Sequence, residues 1–203
     1  MMKLYYSAQS RAVRPRWLLE EIGATYELVR INLTAGEQKK PEYLAINPNG
    51  AVPTLVDGDL VLYESAAICQ YLTDKFPEKK LAPAVGTPAR GLYYQWIHYA
   101  MSALEPPAVT LFMQTMRKPE AERDAKVIAE AQTQLAAALK VVDAALEGRD
   151  YMLGKEFTTA DVMVGSTVAW CQMLGAVGPG TKNLGSYLAR LLSRPAQQRA
   201  MAD

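Results

Sequence analysis

The change of pattern near residue 77 constrains this chain more than any other feature. Up to Phe76, strand and helix signals alternate; beyond Pro88 only helical periodicity remains. Residues 3–6 read as a strand, 14–22 as a helix closed by Gly23, and 26–32 as a second strand. Residues 54–56 and 60–63 form two further strands joined by Asp57-Gly58-Asp59, a hairpin turn in which glycine supplies the positive φ. A helix over 66–76 follows, with Ser65 as its expected N-cap. The order β-α-β, then β-β-α, specifies a small sheet with helices packed against it.

From Pro77 to Pro88 the chain carries three prolines in twelve residues, the composition of a linker. Past it, residues 89–117 keep Leu92, Trp96, Ala100 and Ala103 on one helical face until Pro106-Pro107 is expected to kink or break the helix. Residues 120–147 place Ile128, Ala131, Leu135, Leu139, Val142 and Leu146 at helical spacing. Residues 158–174 and a last short helix at 183–193 complete the set. The reading is therefore α/β plus all-α: a domain over 1–77, a linker over 78–88 and an all-helical domain over 89–203.

Composition excludes several function classes. Half the residues are apolar and the net charge is +1, so no basic excess points to nucleic acid. The N-terminus runs straight into a strand-like segment and lacks a signal-peptide pattern. Cys69 and Cys171 are isolated within helices, which suits a reduced, cytoplasmic protein. Between Val162 and Thr181 no residue is charged, about the length of a bilayer span. Gly165, Gln172, Gly175 and Gly178-Pro179-Gly180 break that run, and a helix buried on all sides is the better reading. Metal-ligand spacings, phosphate loops and a Ser-His-Asp arrangement are absent from the sequence.

The densest functional signal lies between Asn47 and Ser65. Asn47-Pro48-Asn49-Gly50 is turn chemistry, and Val52-Pro53 enters a strand without a ladder donor, leaving neighbouring backbone free. An extended edge facing a helix N-terminus suits a small peptide carrying a carboxylate. Phe157-Thr158-Thr159-Ala160-Asp161 is a capping box opening a helix, a feature of folding rather than catalysis.

Taken in order, Lys3-Leu4-Tyr5-Tyr6-Ser7, Asn47-Pro48, Val52-Pro53, Glu64-Ser65, the proline-rich linker and Phe157 to Asp161 resemble the cytosolic glutathione transferases along essentially the whole chain. The resemblance is to bacterial, serine-type members near the beta- and theta-like branches. It implies a thioredoxin-like N-terminal domain, a helical C-terminal domain, and a homodimer with glutathione at each interdomain cleft. With the composition and spacings above, no metal and no membrane or nucleic-acid partner is expected. Pro53 matches the family's cis-proline, with Val52 offering its backbone to the cysteinyl part of glutathione. Ser65 would hold the γ-glutamyl carboxylate, Glu64 would face the γ-glutamyl ammonium, and Gln38 matches a contact to the glycyl end.

The family activates the glutathione sulfur with Tyr, Ser or Cys near the end of the first strand. A free thiol of pKa about 8.5 is only a few per cent ionised at neutral pH. One hydrogen bond to the thiolate, about 1.5–3 kcal/mol, lowers that pKa by roughly one to two units. Ser10 in Ser10-Arg11 is the preferred candidate here, followed by Ser7 and then Tyr5 or Tyr6. No cysteine lies in the window, a departure from cysteine-dependent beta-class members. His98, Ser102 and Glu105 share a face at helical spacing and resemble the polar lining of the second-substrate pocket, though Glu105 stands where beta-like members carry His. The expected activity is conjugation of glutathione to an apolar electrophile. Isomerisation, dehalogenation or peroxide reduction would need only a different second pocket, and a non-catalytic glutathione-binding module is the reading from another class.

Overall fold

A computed structural model describes residues 1–202, which divide into two compact units. The first holds the N-terminal stretch to Leu81 and also the chain from Ser193 onward; the second runs from Ala82 to Leu192.

The first unit is a thioredoxin-like β/α arrangement. Strands β1 (Met2–Tyr6), β2 (Tyr26–Arg30), β3 (Thr54–Asp57) and β4 (Leu60–Tyr63) form one sheet in the order β2-β1-β3-β4. β1 runs parallel to β2, while β3 is antiparallel to both β1 and β4. Alternation along β1 buries Met2, Leu4 and Tyr6 on one face. Helix α1 (Val13–Ile22) lies on that face, with the Arg16 guanidinium 4.7 Å from the centre of the Tyr6 ring. α1 ends at Gly23, whose φ of 71° lets its N–H reach Leu19 O. The opposite face carries Tyr5, whose ring meets Tyr43 edge-on from the short helix α2 (Pro41–Leu44). Helix α3 (Ser65–Lys75) packs on α1, β3 and β4.

In the second unit, α4 (Pro88–Tyr99) continues into a π-helical stretch over Ala100–Leu104 and then α5 (Glu105–Phe112). The helix therefore passes through Pro106-Pro107 instead of breaking there. Each proline lacks an N–H, which deprives the carbonyls of Ser102 and Ala103 of their usual partners. The wider turn absorbs the defect, with the Glu105 N–H reaching back to Ala100 O. The buried stripe of α4 runs along Tyr93, Trp96, Ile97 and Ala100 and on to Leu104, leaving Leu92 exposed. Helices α6 (Ala125–Ala145), α7 (Thr159–Met173) and α8 (Lys182–Leu192) follow. The uncharged segment is largely α7, buried almost all round.

A further helix, α9 (Pro195–Met201), extends the chain past the expected last one. It belongs to the first unit and packs on α1. Arg194 grips both carboxylate oxygens of Glu21 at 2.6 and 2.8 Å, and Arg199 Nε donates to Glu20 at 2.8 Å. Short and charged, this segment has too little apolar periodicity to announce a docking face in the sequence.

Candidate active site

The sheet register brings three chain segments to one end of the first unit. Tyr5 pairs with Thr54 across β1 and β3, and Thr54 pairs with Tyr63 across β3 and β4. Just beyond these pairs lie Ser7 on one side, Val52-Pro53 in the middle and Glu64-Ser65 on the other. Strands sit about 4.8 Å apart, so Ser7 and Glu64 are separated by roughly two spacings, or about 10 Å. A tripeptide, at about 3.5 Å per residue, spans that distance.

In the middle, the Val52–Pro53 peptide is cis. Neither the N–H nor the carbonyl of Val52 enters a hydrogen bond among the described residues. The loop holding it rests on Asn47, expected only as turn chemistry, and on Tyr43, which sequence reasoning did not single out. Asn47 is 1 % exposed and donates to Ala51 O and Thr54 Oγ1, both at 2.9 Å. Tyr43 Oη donates to Ala51 O at 2.7 Å and lies 2.8 Å from Thr54 Oγ1. Burial raises the Tyr43 phenol above its ordinary pKa, against the pull of the neighbouring Thr54 and Asn47 side chains, so it remains a donor at neutral pH.

On the far side, the expected N-cap moves by one position. Glu64 takes the cap with φ 73° and ψ 114°, and Ser65 becomes the first helical residue of α3. The chain leaves β4 through this one positive-φ residue, and the helix starts directly after it. That conformation costs a non-glycine residue about 1–3 kcal/mol and concentrates at functional sites. No side chain caps α3, so its first amides and the positive end of its dipole stay available to an anion. Ser65 is buried, and its hydroxyl accepts from Arg14 Nη1 at 3.1 Å. Arg14 is itself 2 % exposed and adds a full positive charge. Its signal was legible: it stands at the head of the buried stripe Arg14, Leu18, Ile22, where an arginine is out of place unless partnered.

The candidate hydroxyls differ in their commitments. Ser10 Oγ donates to Ser7 O at 2.6 Å and accepts from Ala12 N at 3.2 Å. The Ser7 hydroxyl forms no hydrogen bond among the described residues. The Tyr5 ring sits against Tyr43 in a shallow depression with Ile31 and Ile46, and Tyr6 belongs to the core. Burial pushes the Cys69 thiol up to about 12 despite the nearby Arg14, so it carries no thiolate at neutral pH. Gln38 lies in a single 3₁₀ turn over Glu37–Lys39, its Nε2 3.4 Å from Leu33 O and its Oε1 buried without a partner. This turn presses on the 47–50 loop: a Cβ on Gly50 would come within 2.8 Å of Gln38 O.

Residues 1–74 match the family model of the glutathione S-transferase N-terminal domain, and residues 104–195 that of the glutathione S-transferase C-terminal domain. Glutathione S-transferase 3 of Zea mays is 34% identical over 210 residues, covering 99% of this chain and 93% of that protein. The chain belongs to the glutathione S-transferase family. Among solved structures, a theta class glutathione S-transferase of Xanthomonas axonopodis pv. citri with glutathione bound is 36% identical. It has a TM-score of 0.87, covering 100% of this chain and 97% of that one. A glutathione transferase family member from Pseudomonas fluorescens with two glutathione bound has a TM-score of 0.88 at 26% identity, covering 98% and 92% of the two chains.

Within this transferase, the helical unit places the other candidates differently from the sequence expectation. His98 and Ser102 are exposed, with Ser102 Oγ donating to His98 O at 2.9 Å, whereas Glu105 is buried. The three do not share a face, because the π-helical stretch between them turns Glu105 out of line. Among the described residues no group of three or more His, Cys, Asp or Glu is gathered to hold a metal, and no helix is long and apolar enough to cross a membrane.

Proposed function

We propose that this glutathione S-transferase binds glutathione along Val52 and against the α3 N-terminus, and conjugates its thiolate to an apolar electrophile. The observation that carries the reading is the shared sheet end. There the unpaired Val52 backbone stands between free serine chemistry on β1's side and an uncapped, arginine-backed helix terminus on the other. Val52 supplies a one-residue strand addition to the cysteinyl unit. Ser65, Arg14 and the α3 amides take the γ-glutamyl carboxylate. Glu64 faces the ammonium, and Gln38 the glycyl end. The thiolate is stabilised by a serine hydroxyl, which makes this a serine-type member. Ser7 donates without rearrangement, while Ser10 donates after turning off the Ser7 carbonyl. His98 and Ser102 of the helical unit are assigned to the co-substrate, and the buried Glu105 is not.

Calorimetric titration with glutathione tests the binding half. Ser65→Ala is expected to weaken binding roughly 10-fold, the worth of one charge-assisted hydrogen bond. Unchanged affinity would remove the α3 terminus as the carboxylate site. Wild-type protein that binds glutathione but turns over no electrophile would leave a binding module.

We further propose that two copies pair. Leu60, Val61 and Tyr63 of edge strand β4 are each about 40% exposed, at 39%, 41% and 39%, an apolar edge that a monomer would be expected to blunt. Sedimentation giving only the 22.3 kDa species at micromolar concentration would count against pairing.

A further inference from the structure

Two buried side chains outside the ligand contacts aim the backbone donor that the glutathione reading requires. Tyr43 and Asn47 both donate to the carbonyl of Ala51, at 2.7 and 2.9 Å, and both are almost wholly buried. The protons around them have a single consistent assignment. Tyr43 has one, and it goes to Ala51 O. The Thr54 hydroxyl then donates to Tyr43 Oη and accepts one Asn47 amide proton; the other Asn47 proton goes to Ala51 O. Asn47 Oδ1 in turn accepts from Asn49 N at 3.0 Å. Thr54 is bolted to the sheet, paired with Tyr5 on one side and Tyr63 on the other. The ring is thus anchored to the middle strand.

The Ala51–Val52 peptide is trans and planar, so its C=O and N–H point in opposite directions. Holding Ala51 O into the interior therefore turns the Val52 N–H outward, away from the protein, where it is left unpaired. From this geometry we infer that Tyr43 and Asn47 are positioning residues for catalysis: they set the direction of the Val52 N–H that receives glutathione. This inference rests on the assignment of Val52 to the cysteinyl unit. With one donor removed the Ala51 carbonyl is held less firmly by the other, and with both removed nothing in the ring fixes its direction. Loss of either should therefore loosen the aim of the Val52 N–H, and loss of both should do so more than additively.

The test uses the full chain with glutathione and an activated aryl halide, comparing Tyr43→Phe, Asn47→Ala and the double variant, below the melting transition of each. Each single variant is expected to raise KM for glutathione roughly 3- to 10-fold. KM for the aryl halide and kcat at saturating glutathione should stay within about 2-fold. The double variant should exceed the product of the single effects. In ¹H–¹⁵N spectra the Val52 amide should shift on glutathione addition in the wild type and shift less in the variants. A purely structural role would lower the melting temperature and leave the KM ratio and this resonance alone. Folded variants with wild-type KM for glutathione and an unaltered Val52 response would overturn the inference while leaving the glutathione site standing. A wild-type Val52 amide that ignores saturating glutathione would remove the Val52 contact, and the inference with it. Should Tyr43→Phe fail to fold, Asn47→Ala decides alone by the same two readouts.

Discussion

Asp161→Ala is expected to cost about 3–5 kcal/mol of stability, lowering the melting temperature of the helical unit by on the order of 10 °C. Asp161 is wholly buried at the start of α7, and every group that meets its carboxylate donates. The Thr158 N–H gives 2.8 Å and its hydroxyl 3.1 Å to one oxygen; the Met152 N–H at 2.8 Å and Tyr187 Oη at 3.0 Å share the other. Burial raises the Asp161 carboxyl, opposed by these bonds from Met152, Thr158 and Tyr187. Burial, followed by the Asp161 charge, holds the Tyr187 phenol well above its ordinary value, so it stays a donor. Removing the carboxylate strands several buried donors at once, where a lost helix cap alone costs about 1 kcal/mol. Asp161→Asn should lose nearly as much, since its amide places a donor against donors. Calorimetry showing the Asn variant within about 1 kcal/mol of wild type would sink this account of the box as a four-donor site.

The second large effect concerns the sulfur. Removing the activating hydroxyl by Ser10→Ala or Ser7→Ala is expected to slow conjugation about 10- to 100-fold near pH 6.5, because one hydrogen bond to the thiolate is worth about 1.5–3 kcal/mol. The sign of the pH dependence follows. The hydroxyl lowers the thiol pKa, so its loss moves the rate profile to higher pH, and the deficit closes as the thiol ionises unaided. Ser10→Ala also frees the Ser7 carbonyl, so its profile separates a direct donor from a residue that holds the Ser7 turn. A profile displaced in Ser7→Ala and unmoved in Ser10→Ala would assign the donor to Ser7. Profiles unmoved in both would exclude the serine mechanism, and Tyr5→Phe would then be the variant to measure.

Much of the architecture was legible because it rests on local rules. Period-2 and period-3.6 patterns marked β1, β3, β4, α1, α3, α7 and α8 to within a residue or two, whereas the helix expected over 120–147 spans only Ala125–Ala145. Gly23 and Gly58 marked turns through their positive φ, and Thr158 with Asp161 announced a box that the structure completes. The π-helical passage at Pro106-Pro107 was not legible. A proline pair predicts lost hydrogen bonds, but whether the helix breaks or widens depends on what its flanks pack against. Leu92 misled because the buried stripe of the regular helix is centred one residue further on, at Tyr93, Trp96, Ile97 and Ala100.

What the sequence by itself determined is the order of elements and one stretch of candidate contacts, Val52, Pro53, Glu64 and Ser65, to which the family resemblance attaches proposed roles. What only the tertiary structure decided is which distant residues serve that stretch. Arg14 reaches Ser65 from α1, Tyr43 and Asn47 orient the Ala51 carbonyl, and α9 returns from the far end of the chain to clasp α1. The physical reason is that dihedral preferences and hydrophobic period act over a few residues, whereas a buried polar group is satisfied by whichever donor or acceptor the packed chain brings within about 3 Å.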